Sequence, residues 1–155
     1  MLVKTHCAAV TGLEAVTVTI EVNIVRGTNL HFSGLADVSV RESIDRIRAA
    51  MSNTGYKFPS ADITINMAPA DLKKEGSGYD LPLAVAILAA ENKVNTTLLG
   101  DYMLVGEIGL DGRLCPSVVP CPSPSRQGQR SSRGSSYPAI TCVRRLLSTT
   151  STSMA

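Results

Sequence analysis

The sequence contains no tryptophan, and its few phenylalanine and tyrosine residues amount to 4% of the chain. Aromatic side chains are the platforms on which many proteins stack the bases of single-stranded nucleic acids. Their scarcity argues against a binding site built from stacked aromatics. Hydrophobic residues nevertheless make up 44% of the 155 residues, so the chain can bury an aliphatic core of one domain.

Nucleotide-binding motifs are also missing. The chain has no Gly-x-x-x-x-Gly-Lys-Ser/Thr loop, and therefore lacks the backbone cradle and the lysine that an ATPase needs. Gly76 and Gly78 precede an apolar segment, but a third glycine and a downstream acidic ribose ligand are absent. We therefore expect no cofactor and no ATP hydrolysis from this polypeptide alone.

The cysteines show no spacing typical of a metal site. Cys7, Cys115, Cys121 and Cys142 form neither a Cys-x-x-Cys pair nor a Cys/His motif. A zinc site is therefore not expected. Cys7 is interpreted as a small buried hydrophobic residue.

Charge and hydropathy give no support for a nucleic-acid or membrane partner. The formal net charge is +2, and five of the arginines follow Pro116, so the residues before it are mildly acidic. No apolar run is long enough to span a bilayer, and the N-terminus lacks the pattern of a secretory signal. We expect a cytoplasmic location and no membrane contact.

Apolar periodicity in the first half predicts three strands and a helix. Residues 2–10 are interpreted as a strand, and strict alternation over residues 16–24 predicts a second strand with one buried face. A short segment at residues 30–32 follows. From Asp37 the spacing becomes helical, and Gly55 ends this amphipathic helix.

The second half predicts the remaining elements. Residues 63–67 alternate as a strand, and the Ala-rich run of residues 81–90 predicts a helix that is buried on most of its surface. Residues 102–107 are interpreted as a further strand, and Asp111-Gly112 is typical of a tight hairpin. The order predicts an α+β domain with helices on one face of a mixed sheet.

The chain changes character at Pro116. Beyond it lie Ser, Pro and Arg residues with little hydrophobic periodicity. If one nucleotide is missing at this codon, residues 117–124 can be encoded so that the restored frame reads Ile-Arg-Gly-Ala-Leu-Pro-Ile-Ala. We therefore interpret residues 1–116 as the domain and residues 117–155 as a frameshifted, low-complexity tail, which we expect to be disordered.

The loop of residues 73–80 is the most specific segment for binding. Lys73, Lys74, Gly76 and Gly78 are candidate contacts to an anion or to DNA, because the loop leads into a helix whose N-terminus favours negative charge. Asp80 is the predicted N-cap of that helix. In the alternative interpretation, the glycines only form a tight turn and the lysines are solvated.

The first helix offers a second candidate surface. Arg41, Glu42 and Arg46 lie on its polar side and are candidate contacts to another subunit or to nucleic acid. The alternative is that these mixed charges only solvate an exposed face.

Seven short segments occur in an order typical of one bacterial family. They are Phe32-Ser33-Gly34-Leu35-Ala36-Asp37, Val40-Arg41-Glu42-Ser43, Asp45-Arg46, Asn66-Met67-Ala68-Pro69-Ala70-Asp71-Leu72, Lys74-Glu75-Gly76, Tyr79-Asp80-Leu81-Pro82-Leu83-Ala84 and Gly106-Glu107-Ile108. Together they resemble the N-terminal domain of the ComM/YifB family of magnesium-chelatase-like AAA+ ATPases. The resemblance covers residues 2–116. It implies that ATP and Mg²⁺ bind in an AAA+ module that this chain does not contain.

The resemblance also implies a fold similar to the Lon protease domain, with a left-handed βαβ crossover. Lon-type enzymes carry a catalytic serine before the equivalent helix, and Gly78 takes that position here. The lysine partner of that serine is missing as well. Without both groups no activated hydroxyl is present.

The resemblance therefore implies a non-catalytic accessory domain. Its role would be oligomer assembly, in a family that forms hexamers, or guidance of DNA in recombination during natural transformation. The alternative is a cryptic Lon-like serine peptidase that uses Ser77 or Ser43.

Overall fold

The computed structural model describes residues 1–11 and 14–115, and the predicted tail of residues 117–155 lies outside the described residues. The strands are β1 (Leu2–Thr11), β2 (Glu14–Val25), β3 (Leu30–Ser33), β4 (Asp62–Ala68), β5 (Glu107–Ile108) and β6 (Leu114–Cys115). The helices are α1 (Val38–Asn53) and α2 (Asp80–Ala90), and a 3₁₀ turn follows at Leu99–Asp101. The predicted order of strands, helices and hairpin is confirmed.

Four strands form a mixed sheet in the order β1-β2-β4-β3. β2 pairs antiparallel with β1 and β4, whereas β3 runs parallel to β4. Ile20 in the central strand lies opposite Thr5 on one side and Met67 on the other. The predicted α+β class with a mixed sheet is confirmed.

The sheet buries one face against the helices. Alternate residues of β2, Val18, Ile20 and Val22, are fully buried in the same apolar cluster as residues of both helices. α2 is buried on most of its surface, as predicted. The hydroxyl of Thr5 donates to the carbonyl of Pro82 at 3.1 Å, and this bond ties β1 to the first turn of α2.

The opposite face of the sheet is polar. A chain of contacts crosses all four strands: Lys4 pairs with Glu21 at 2.7 Å, the Asn66 amide donates to Glu21 at 2.9 Å, and Ser33 donates to Asn66 at 2.9 Å. The hydrogen bond from Lys4 holds the pKa of Glu21 below its usual range. Since antiparallel sheets tolerate one solvated face, these contacts satisfy polar groups that no helix covers.

The predicted strand over residues 102–107 is wrong in extent. Met103 forms a single parallel bridge to His6, and the Leu104 amide donates to the His6 carbonyl at 2.7 Å. Pairing stops there because Gly106 bonds elsewhere: its amide donates to the Gly78 carbonyl, and its carbonyl accepts from Leu81. The segment thus links the edge of β1 to the start of α2.

The predicted Asp-Gly hairpin is confirmed. β5 pairs antiparallel with β6, and Gly112 in the turn has a φ of +80°, a conformation that glycine adopts without steric cost.

Within the described residues, neither helix has the length and apolar content needed to cross a membrane.

Cys7 provides a test of this core through the pH dependence of stability. Its thiol is fully buried, and burial raises its pKa to about 12. In the unfolded chain a thiol ionises near pH 8.5, so above that pH the folded state binds more protons than the unfolded state. The contribution of Cys7 to the free energy of unfolding should therefore fall as pH rises, by at most about 1.4 kcal/mol per pH unit.

The measurement is urea unfolding at pH 8 and pH 10 of the wild type, Cys7→Ala and the exposed-site control Cys115→Ala. We expect the wild type and Cys115→Ala to lose more stability over this interval than Cys7→Ala. The same loss in all three proteins would contradict a buried thiol at position 7.

Candidate functional site

A buried lysine fixes the loop that precedes α2. Lys74 is fully buried, and its amine donates to the carbonyls of Gly34, at 2.8 Å, and Pro69. Its backbone pairs with the β3–α1 loop through Leu35 and Asp37. Loss of solvent lowers the pKa of Lys74. The prediction that Lys74 contacts an anion or DNA is therefore wrong, because its amine is enclosed and already bonded.

The other predicted loop residues do not form an anion cradle. Lys73 is exposed and pairs with Glu75, whose hydrogen bond raises the pKa of Lys73. The Gly76 amide donates to the hydroxyl of Ser39 at 2.9 Å, and the Gly78 carbonyl accepts from Gly106. Lys73 alone among the candidate side chains of this loop reaches solvent, and it does so beside a carboxylate.

The predicted cap at Asp80 is wrong. Tyr79 occupies the N-cap position without a side-chain bond, and Asp80 is the first residue of α2. Its carboxylate, fully buried, turns towards α1 instead. The side chain of Arg46 donates to both of its oxygens at 2.8 Å, and the Ser43 hydroxyl donates at 2.5 Å.

A third element also binds Asp80. The backbone amide of Ile108, in β5, donates to its carboxylate at 3.2 Å. We call Asp80, Arg46, Ser43 and the Ile108 amide the Asp80 network. It joins both helices to the β5–β6 hairpin, which is the last element of the described chain.

Arg46 therefore does not present a free guanidinium to a partner, contrary to its prediction as an interface residue. Its side chain is 24% exposed, its hydrogen bonds to Asp80 raise its pKa, and it also donates to the Ser39 carbonyl at 3.3 Å. Arg41 and Glu42 are exposed, as the amphipathic pattern predicts. Arg41 lies over the ring of Phe32 at 5.9 Å.

The sequence analysis did not predict the contacts that make up the Asp80 network. One signal was present: Ser43 falls on the buried side of α1, with Val40, Ile44 and Ile47. A polar residue in an apolar stripe needs a hydrogen-bond partner. The pattern does not indicate that this partner comes from residue 80.

The serines lack the partners of a hydrolase. Ser43 is buried and bonded to Asp80, so a substrate has no access to its hydroxyl. Ser77 donates to Glu107 at 2.6 Å, and the described residues place neither a lysine amine nor an imidazole against it. Residues 1–11 and 14–115 also contain no cluster of three His, Cys, Asp or Glu side chains that would hold a metal ion.

An apolar groove of about 400 Å³ lies between the two helices and the hairpin. Its walls include Ile47 and Met51 of α1, Val85 and Leu88 of α2, and Leu114 of β6. Leu114 is the residue before the end of the described chain. The groove therefore lies beside the last described strand, β6.

Comparison with known proteins gives consistent matches. Residues 20–123 match the family described as subunit ChlI of Mg-chelatase. The chain is 47% identical over 110 residues to the uncharacterized protein YifB of Escherichia coli, and 42% identical over 104 residues to the competence protein ComM of Haemophilus influenzae. These matches cover 70% and 66% of this chain but only 22% and 20% of the relatives. The chain thus spans about a fifth of their length.

The Asp80 network can be tested through stability. Asp80→Asn removes the charge that Arg46 faces, and breaking a buried ion pair in this way typically costs about 3–5 kcal/mol. We expect a loss near the lower end of that range, because Arg46 retains some contact with solvent. The measurement is the free energy of unfolding in urea, followed by circular dichroism.

Asp45→Asn is the matched control, since Asp45 is exposed on α1 and forms no ion pair with a described residue. A change below about 0.5 kcal/mol is expected for this variant. Equal stability of the two variants would show that the network does not stabilise the fold.

Proposed function

The chain belongs to the ComM/YifB family of magnesium-chelatase-like proteins, and we propose that it is a non-catalytic accessory domain of the AAA+ motors in that family. The start of α2 carries this proposal. A protease of the Lon type would place its nucleophile there, but Gly78 has no side chain, and the following carboxylate, Asp80, is enclosed by Arg46 and Ser43. The residues at this position stabilise the packing of helices instead of facing a substrate.

The mixed sheet supports a more specific fold assignment. β3, α1 and β4 form a βαβ unit with adjacent parallel strands. We propose that this unit is the left-handed crossover of a Lon-protease-like domain. Such a domain would retain the scaffold of an enzyme without its serine and lysine.

The residues of this chain offer no recognisable motif for ATP, and its described residues offer no acidic cluster for Mg²⁺. The sequence has no phosphate-binding loop, and the described residues supply no group of acidic side chains suited to a metal ion. We propose that both ligands bind to the AAA+ module of the longer relatives. The contribution of this domain would then be mechanical or positional.

The Asp80 network and the apolar groove support such a role. The network connects both helices to the β5–β6 hairpin, and Leu114 of that hairpin lines the groove. A rigid connection at this point would let the domain hold the following part of a longer protein in a fixed orientation. We propose that it assists assembly of a hexameric ring, or guides DNA towards the motor during recombination of incoming strands.

A serine peptidase is the second candidate, because Ser77 lies 2.6 Å from Glu107. A carboxylate can accept the proton of a hydroxyl, but an ordinary carboxylate is a much weaker base than the lysine or histidine that activates serine in peptidases. The accessory role therefore has the stronger support.

A fluorophosphonate probe distinguishes the two candidates. We expect no modification of Ser77 or Ser43 when the folded protein is treated and analysed by peptide mass spectrometry, because neither hydroxyl has a lysine or histidine base among the described residues. A known serine protease treated in parallel shows that the probe is active. Labelling at Ser77 that disappears in both Ser77→Ala and Glu107→Gln would contradict the accessory role and favour the peptidase.

A further inference from the structure

A second cavity, of about 320 Å³, opens at one end of the sheet. It is enclosed by the turn between β2 and β3, by the C-terminal half of α1 and by the loop between α1 and β4. Its lining includes the polar residues Thr28, Asn29, Arg48 and Ser60, together with the ring of Phe58. The remaining lining residues, Leu30, Pro59, Ala61 and Ile63, are apolar.

The two segments that border this cavity are held against each other. The Ile63 amide, at the start of β4, donates to the Asn29 carbonyl at 2.8 Å. Gly27 packs so closely on Asp62 that an added Cβ would lie 2.5 Å from the Cβ of Asp62. A backbone hydrogen bond therefore connects the two segments that line the cavity.

Arg48 is the central charged group of the cavity. The carbon of its guanidinium lies 4.8 Å from the centre of the Phe58 ring. No carboxylate among the described residues lies within ion-pair distance of Arg48. Stacking on a ring occupies the face of the guanidinium, and the N–H donors around its edge stay available to an anion.

Of the cations without a carboxylate partner, one lines the cavity and two lie close to its lining residues in sequence. Among the described residues, the lysines and arginines outside ion pairs and outside the buried Lys74 site are Arg26, Arg41, Arg48, Lys57 and Lys93. Arg26 lies two residues before the lining residue Thr28, and Lys57 lies immediately before Phe58. The nearby carboxylate of Asp62 faces His31 at 3.6 Å.

We propose that this cavity binds a backbone phosphate of single-stranded DNA. Arg48 would donate to the phosphate oxygens, supported by the hydroxyls of Thr28 and Ser60 and the amide of Asn29. Leu30 and Phe58 supply apolar contact for the adjacent sugar or base. This inference rests on the DNA-guiding role proposed above, to which it assigns a location.

The test measures fluorescence anisotropy of a labelled oligothymidylate with the full chain. Arg126, Arg130, Arg133, Arg144 and Arg145 are all replaced by Gln in every protein, so that binding by the tail does not contribute. We expect Arg48→Ala to weaken binding about tenfold and to reduce the slope of log K against log salt by about 0.7, as for the loss of one phosphate contact on a single strand.

Lys93→Ala is the control. It also removes an exposed cation that pairs with no carboxylate among the described residues, and Lys93 does not line the cavity. Less than a twofold change is expected for this variant. Equal weakening by both variants would overturn the cavity assignment while leaving DNA guidance in place.

Two further outcomes would also overturn the inference. If the background protein does not bind the oligonucleotide even at low salt, DNA guidance itself fails and the cavity assignment fails with it. If inorganic phosphate binds as tightly as the oligonucleotide and its binding depends on Arg48, the cavity is a site for free phosphate instead of DNA.

Discussion

The buried carboxylate of Asp80 is the constraint on which the arrangement of this domain depends. Removing a charge from water costs several kcal/mol unless the protein supplies well-placed partners. Here the partners come from two other elements, the side chains of Arg46 and Ser43 in α1 and the amide of Ile108 in β5. α2 can keep this charge buried only if α1 and the hairpin occupy defined positions. The contacts thus specify one packing of three elements.

This constraint bears directly on function. The position before α2 that would carry a nucleophile in a Lon-like enzyme is occupied by Gly78, and the neighbouring polar groups are committed to internal bonds. The matched residues span only 22% of the relative YifB.

The strands and helices were largely predictable, because alternation in β2 and helical spacing in α1 report which faces are buried. The contacts of the charged residues could not be predicted from the sequence. Lys74 and Asp80 lie in a polar loop and at a helix start, where sequence patterns favour exposure or capping. Both are fully buried, because carbonyls from residues 34 and 69 and donors from residues 43, 46 and 108 converge on them in space. Such long-range partners leave no periodic signal.

Hydrogen exchange in the hairpin would test the central constraint most directly. Arg46→Met removes a partner of Asp80 without touching β5 or β6. If Asp80 couples the helices to the hairpin, the amides of residues 107–115, and that of Ile108 in particular, should exchange faster in this variant than in the wild type, while amides in β1 and β2 keep their protection. Unchanged exchange at residues 107–115, or an increase of equal size throughout the domain, would contradict the coupling.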